Sequence, residues 1–257
     1  MFDLSAYLWA LLVILAAAVA GWYWSYRQHN VNIVDSLWPL LFLLAGVVYA
    51  LAVEAPGPRT GLLLALLAVW SLRLCVYLSW RNWGETEDKR YAEMREHHGE
   101  RFPMVSLYKV FLLQGVIAWI VSLPLLAAIA GRGAMGFLDF LGVVLWLMGM
   151  VFEAGGDWQL ARFKADPDNK GKVLNRGLWR YTRHPNYFGD FCVWWGFFLL
   201  ALAAGGWWSF IGPLIMSVLL MRVSGVTLTE KTIEERRPAY REYQQNTNAF
   251  FPGPPRG

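Results

Sequence analysis

The chain has little of what a secreted or metal-dependent protein of its size would use. Of 257 residues only two are cysteines, Cys75 and Cys192, and both lie inside apolar runs. That pattern makes a poor disulfide framework and a poor thiolate metal site, so both thiols read as small buried hydrophobes. Histidine is scarce too, with four in all, and adjacent His97 and His98 would point apart on a helix, which argues against a metal pair. The sequence has no CxxC, no HExxH, no Walker-type Gly loop and no GxGxxG after a strand, so a Rossmann cofactor domain is excluded. No basic region precedes the first apolar run and no clear small-residue cleavage site follows it, so that run reads as a retained helix rather than a signal peptide.

What is present is apolar. Hydrophobic residues make up 56% of the chain, with 15 tryptophans, against about 45–50% in soluble domains. The excess sits in long runs, which predicts an all-α polytopic membrane protein. Seven spans are expected, at roughly 7–26, 33–53, 61–80, 108–130, 137–153, 189–204 and 207–223. Charge orients them. Residues 81–109 hold six Lys and Arg, 154–188 hold seven and the tail from Arg222 holds six, while the opposite loops hold only Arg59 and Arg132. The positive-inside rule then gives N-terminus out and C-terminus in, which an odd number of spans satisfies. With no repeat or low-complexity linker, the chain reads as a single domain, 1–257. It is expected to work as a monomer in contact with membrane lipid, with no nucleic-acid partner.

Ionisable residues inside spans are costly unless paired or hydrated, so each is a functional candidate. Asp35 lies two residues into the second span, in "VNIVDSLWP", and Arg73 lies well inside the third. Trp70, Arg73 and Tyr77 follow i, i+3, i+7 and share one helix face. Asp35 and Arg73 are expected at similar depth, either as a structural pair or as a site in which Arg73 meets an anion and Asp35 acts on a substrate. Glu153 and Asp157 stand four residues apart across the end of span five, whereas Asp139 could simply snorkel to the outer interface.

The loop between spans five and six carries Arg162, Lys164, Lys170, Lys172, Arg176, Arg180 and Arg183. Orientation and anionic lipid account for cations there. They do not account for "RYTRHPNYFGD" (180–190), with Tyr181, His184, Asn186 and Asp190 at the mouth of a span. These residue types suit a nucleotide: cations for phosphates, Asp for ribose hydroxyls, Asn for an amide. Pro185 presets a first helical turn, and the N–H groups behind it face an anion. The tail, with Glu230, Glu234 and Arg237 at helical spacing, reads either as an amphipathic surface helix or as a lid contributing Glu230, with Arg222 at the end of span seven.

"RHPNYFGD" (183–190), "RVSGV" (222–226) and "YREYQQNTNAFFP" (240–252) together resemble the steroid 5α-reductase family in its bacterial branch. The first motif alone also resembles membrane sterol C14 reductases and isoprenylcysteine carboxyl methyltransferases. Combined with "VNIVDSLWP" and "DKRYAEMREHHGERF" (88–102) it is more specific to the reductases. The resemblance implies a seven-helix reductase of the bacterial inner membrane, with cytoplasmic active-site loops, that uses NADPH to reduce the C4–C5 double bond of a 3-oxo-Δ4 steroid or similar lipophilic enone. By that resemblance Asp35 matches the family's substrate-carbonyl Glu. Arg73, Asp157, Lys164, Lys172, Asn186, Asp190 and Arg222 match its cofactor residues, and Tyr181, His184 and Glu230 join them. The family's substrate Tyr is replaced by Trp70, with Tyr77 a stand-in, and its tail His and Tyr become Val226 and Glu230. In the implied mechanism Asp35, helped by Trp70 or Tyr77, hydrogen-bonds the ketone and stabilises the enolate as hydride reaches the β carbon. Asp35 can donate only in its protonated form, which apolar surroundings favour. The competing expectations are an S-adenosylmethionine-dependent membrane methyltransferase and a non-catalytic sterol or lipid binder.

Overall fold

The computed structural model describes residues 2–223, 225–230 and 240–256. Helix accounts for 79% of the chain and no strand occurs among the described residues. The helices are α1 (Leu4–Gln28), α2 (Ile33–Ala52), α3 (Thr60–Asn82), α4 (Lys89–His98), α5 (Phe102–Ser106), α6 (Leu113–Val121), α7 (Leu123–Ala130), α8 (Phe137–Ala165), α9 (Pro185–Ala203), α10 (Ile211–Val218), α11 (Val226–Glu230) and α12 (Tyr240–Asn246). π-Helical turns at Leu107–Leu112 and Leu219–Val223 join α5 to α6 and extend α10.

Among the described residues six helical segments are long and apolar enough to cross a membrane: α1, α2, α3, the run Lys89–Ala130, α8 and α9. This is a multi-pass, all-helical membrane protein. The expected seventh span corresponds to Trp207–Val223, which is apolar but shorter; its rise of about 26 Å falls just under a hydrocarbon core of about 30 Å.

The described chain falls into two compact units. The first comprises residues 1–135 and 200–209. Asp3 caps α1 by accepting from the Ala6 N–H at 2.9 Å. Ala6, Ala10 and Ala18 then recur on one buried face of α1, letting neighbouring backbones approach closely. At one end Tyr7 stacks on Trp119 with centroids 4.1 Å apart, and the Trp119 indole donates to the Tyr7 carbonyl at 2.8 Å. Toward the other end Ala18, Val31, Val34, Phe102, Val110 and Phe111 form a core patched by Trp22 and Leu37. Arg59, expected simply as a loop cation, is 1% exposed. Its guanidinium donates to the carbonyls of Gly133 at 2.7 Å, Ala134 at 2.8 Å and Ala203 at 3.3 Å, so it serves as a buried tie between loops.

The second unit comprises residues 136–199 and 210–257. Its spine is the α8–α9 pair. Gly142, Gly149 and Gly156 on α8 recur every seven residues, as do Gly189 and Gly196 on α9. A Cβ added at Gly189 would lie 2.3 Å from the Glu153 backbone nitrogen, and one at Gly149 2.6 Å from the Gly189 carbonyl oxygen, so the helices meet backbone to backbone. This explains a departure from expectation. Span five was to end near 153, with a loop from Gly155, yet α8 runs on to Ala165. Two helical glycines cost about 1 kcal/mol each. Close packing offsets that: the Trp179 indole donates to the Gly156 carbonyl at 3.1 Å, and Pro185 and Asn186 crowd the missing Cβ. Asp139 also departs from expectation. It is 2% exposed and does not snorkel; its carboxylate accepts from the Gly136 N–H at 2.7 Å and caps α8. The tail returns through α12 to stack Phe250 and Phe251 on Phe188 and Phe191. Glu234 and Arg237, placed by sequence on a tail helix, lie outside the described residues.

Candidate active site

In the first unit the polar centre lies where α2 begins. The preceding turn reverses through His29, whose φ of 54° closes α1. The turn is then laced to the segment after α3. Val31 N–H donates to Glu87 Oε1 at 2.9 Å, the Asn32 amide donates to the Thr86 carbonyl at 3.0 Å, and Asn32 Oδ1 accepts from the Asp88 N–H at 2.8 Å. Arg95 grips Glu87 through Nε at 2.9 Å and Nη2 at 2.7 Å, with its guanidinium 4.1 Å from the Phe102 ring centroid. Burial alone would raise the Glu87 carboxyl; the hydrogen bonds from Arg95 and Val31 outweigh it and hold the group below the usual range.

This lacing sets Asp35. Its Oδ2 accepts from Arg81 Nη2 at 3.2 Å and from Asn82 Nδ2 at 3.4 Å. Among the described residues its Oδ1 takes no hydrogen bond, and the side chain stays 24% exposed. Pro39, four residues on, has no N–H to offer the Asp35 carbonyl. Of the two readings of Asp35 and Arg73, the structural pair does not form: Arg81, one helix end further along, reaches the carboxylate. Arg73 and Tyr77 are half-buried on α3. Trp70 is fully buried, with its ring 5.8 Å from Phe42 across the α2–α3 seam.

In the second unit Pro185 opens α9, as the sequence predicts, and the Asn186 amide donates to Asp157 Oδ1 at 3.2 Å. Asp157 and Asp190 are buried, whereas Lys164, Lys172, Tyr181 and Arg222 are exposed. Just before α9 lies a different kind of centre. Arg183 holds Glu230 in a two-pronged pair, Nε to Oε1 at 2.7 Å and Nη2 to Oε2 at 2.9 Å. Its Nη1 donates to the carbonyls of Gln244 at 3.0 Å and Thr247 at 2.6 Å. His184 Nε2 lies 3.0 Å from Glu230 Oε1, the Tyr240 hydroxyl donates to the same oxygen at 3.4 Å, and Gln244 reaches Oε2 at 3.5 Å. Burial raises the Glu230 carboxyl; hydrogen bonds from His184 and Arg183 and the Arg183 charge outweigh it, leaving the group at about 2. Thr182 and the Arg183 N–H bind the carbonyls of Phe250 at 2.8 Å and Asn248 at 2.9 Å, and the Tyr243 hydroxyl donates to the Trp179 carbonyl. Glu230 and Arg183 thus staple the tail to the stretch that starts α9.

A family model described as "Protein of unknown function (DUF1295)" matches residues 21–247. The chain belongs to the DUF1295 family. An uncharacterized protein of Schizosaccharomyces pombe is 28% identical over 262 residues, covering 90% of this chain and 75% of that protein. Shorter matches link parts of the chain to enzymes of named activity. The 3-oxo-5-alpha-steroid 4-dehydrogenase 1 of Bos taurus is 32% identical over 66 residues, 26% of each chain. That of Rattus norvegicus is 35% identical over 85 residues, 32% of this chain and 30% of the enzyme. The chain spans about a quarter to a third of the length of these enzymes. No solved structure matches.

For this DUF1295 chain the structure joins two stretches singled out separately in the sequence. "VNIVDSLWP" and the segment running into "DKRYAEMREHHGERF" are bonded residue to residue through Asn32, Glu87 and Asp88. Arg81, Asn82, Glu87 and Arg95 were missed as partners because they read as ordinary loop cations and solvated helix. The available signal was that carboxylates and arginines interleave just past the end of a span whose neighbour starts with Asp35.

Proposed function

We propose that this protein is an NADPH-dependent membrane reductase that saturates the C4–C5 double bond of a 3-oxo-Δ4 steroid or a similarly lipophilic enone. The observation that carries the reading is Asp35: a carboxyl at the mouth of an apolar helix with one oxygen fixed by Arg81 and Asn82 and the other open, in a family with partial similarity to 3-oxo-5-alpha-steroid 4-dehydrogenases. In this reading a protonated Oδ1 donates to the substrate ketone while Arg81 and Asn82 hold Oδ2. As the β carbon gains hydride, the double-bond electrons move onto the ketone oxygen as an enolate, and protonation of the α carbon completes the reduction. A donor preorganised on that oxygen is worth about 3–4 kcal/mol of barrier. Tyr77, half-buried on α3, is a second hydroxyl for the ketone.

NADPH, when bound, supplies the hydride. The residues of the second unit fit such a group: an amide and a carboxylate in contact at Asn186 and Asp157, and exposed cations at Lys164, Lys172 and Arg222. Asp190 completes the proposed grip within this unit, while His184 and Glu230 act by holding the tail in place; Arg73, in the first unit, is the proposed anion contact there. The proposed topology has seven spans, with Trp207–Val223 as the last, N-terminus outside, and the basic loops and tail in the cytoplasm of a bacterial cell. The distribution of Lys and Arg supports that orientation.

Protein purified in detergent should retain or bind reduced nicotinamide dinucleotide, visible by fluorescence, and should reduce a 3-oxo-Δ4 enone. Binding of S-adenosylmethionine without any nicotinamide dinucleotide would replace this reading with the methyltransferase one; sterol binding with no dinucleotide would leave a non-catalytic binder.

A further inference from the structure

The last turns of α8 carry the lining of an open cavity of about 630 Å³ that the proposal above does not use. Trp158, Arg162 and Phe163 come from the helix, and Arg176 comes from the loop that returns toward α9. The volume lies within the range of about 300–1,000 Å³ typical of small-molecule sites. Two features define its chemistry. Each arginine lies over an aromatic ring: the Arg162 guanidinium carbon is 5.5 Å from the Trp158 centroid, and that of Arg176 is 6.0 Å from Phe163. Both arginines are exposed, and among the described residues neither makes an ion pair. Asp166, the carboxylate at the rim, is already occupied. Its Oδ1 accepts from the Asp168 N–H at 3.0 Å and its Oδ2 from the Asn169 amide at 3.1 Å; these bonds orient it, and among the described residues it makes no ion pair with either arginine.

Two forks of N–H donors suit a phosphate, since guanidinium pairs with phosphate through parallel hydrogen bonds. An exposed indole beside them suits a flat base; Trp158 is 59% exposed. Phe163 is buried with Leu174 and Trp179 and makes the wall rigid. A lipid headgroup would call for the cations alone. A phosphorylated purine nucleoside calls for cations and the aromatic face together. The cavity wall also starts at the residue after Asp157, whose carboxylate meets Asn186.

We propose that this cavity seats the adenosine end of the dinucleotide, with Arg162 and Arg176 on the ribose 2′-phosphate, and thereby selects NADPH over NADH. The assignment rests on the reductase reading and adds to it the residues that choose between the two cofactors. S-Adenosylmethionine carries no phosphate and would leave both guanidinia unused.

The test is equilibrium binding to full-length protein in nanodiscs of zwitterionic lipid, by isothermal titration with NADPH, NADH and adenosine 2′,5′-bisphosphate. Wild type should prefer NADPH, and the bisphosphate should displace it. R162Q and R176Q should each weaken NADPH binding about tenfold, the yield of one charge-assisted contact, and leave NADH within about twofold. R162K/R176K should fall between wild type and the double Gln variant, because charge without the fork keeps part of the contact. Both side chains are exposed, so an unchanged melting temperature should accompany the loss. If the double Gln variant keeps the wild-type NADPH-to-NADH ratio, or loses both cofactors equally, the cavity assignment is overturned and the reductase reading stands. If wild type binds neither dinucleotide, both fall. If phosphatidylglycerol in the disc blocks the arginine-dependent heat while the bisphosphate gives none, the cavity is a headgroup site and the assignment is overturned.

Discussion

Two carboxyls that the sequence singled out for different roles, Asp35 and Glu230, are held in opposite ways. Glu230 has both oxygens engaged, by Arg183, His184, Tyr240 and Gln244, and its main partner is itself 9% exposed and bound to two further carbonyls. Asp35 has one oxygen engaged, by an arginine whose side chain is 45% exposed and by one amide. A carboxylate with every lone pair spoken for fixes geometry. One with an open oxygen, fixed through the other, can meet a substrate. The difference separates a tail clasp from a candidate catalytic group, although both are acids at the edge of apolar helices.

Several substitutions sharpen or break this contrast. The largest effect should follow Arg183→Ala, which removes the main partner of a half-buried carboxylate and frees two tail carbonyls. Stability should fall by about 3–5 kcal/mol, read as a drop in melting temperature in detergent; a near-native melting curve would remove the clasp. Asp35→Ala should leave the melting curve nearly unchanged and lower enone reduction about 10²–10³-fold, with NADPH affinity intact by titration. Near-wild-type reduction would remove Asp35 from the chemistry. Gly189→Ala should cost about 1–3 kcal/mol, because the new methyl meets backbone rather than a flexible side chain.

Acid should act on the clasp next. The folded Glu230 carboxyl sits at about 2 against an ordinary 4.5. A depressed group contributes stability that is fully present above the unfolded value and lost as pH falls through the folded one. The decline should therefore run from about 4.5 down to about 2, and Glu230→Gln should flatten it there. The smallest effect on stability belongs to Arg81→Ala, about 0–1 kcal/mol for an exposed pair. Its signature should be a reduced kcat on the enone with an unchanged melting curve. A large loss of stability would make the two carboxyls alike and dissolve the comparison.

Much of the architecture was legible because it depends on composition along the chain. Long apolar runs require helices, and Pro185 before a run sets a helix start. The exceptions are instructive. A loop was expected from Gly155, and glycine in isolation weakens a helix. Packing against Trp179 and Pro185 reverses that, and no local signal carries it. The sevenfold glycine spacing on α8 and α9 was present in the sequence and names the contact face, but only once the two helices are known to be neighbours. Asp35 was identifiable because a carboxyl in an apolar run is costly wherever it packs. Its partner was not, because Arg73 and Arg81 lie on the same helix and differ only in which turn meets α2.

Residue chemistry along the chain was enough to show a helical membrane protein with its cations concentrated in alternate loops, and to mark the few ionisable residues that needed an explanation. These follow from free energies of transfer, which are properties of each residue and its near neighbours. Packing in three dimensions set which carboxyl is clasped and which is left open, where α8 ends, and that two arginines share one cavity. Those outcomes rest on hydrogen bonds and close contacts between segments tens of residues apart, whose strength depends on angstrom-scale placement that no local pattern encodes.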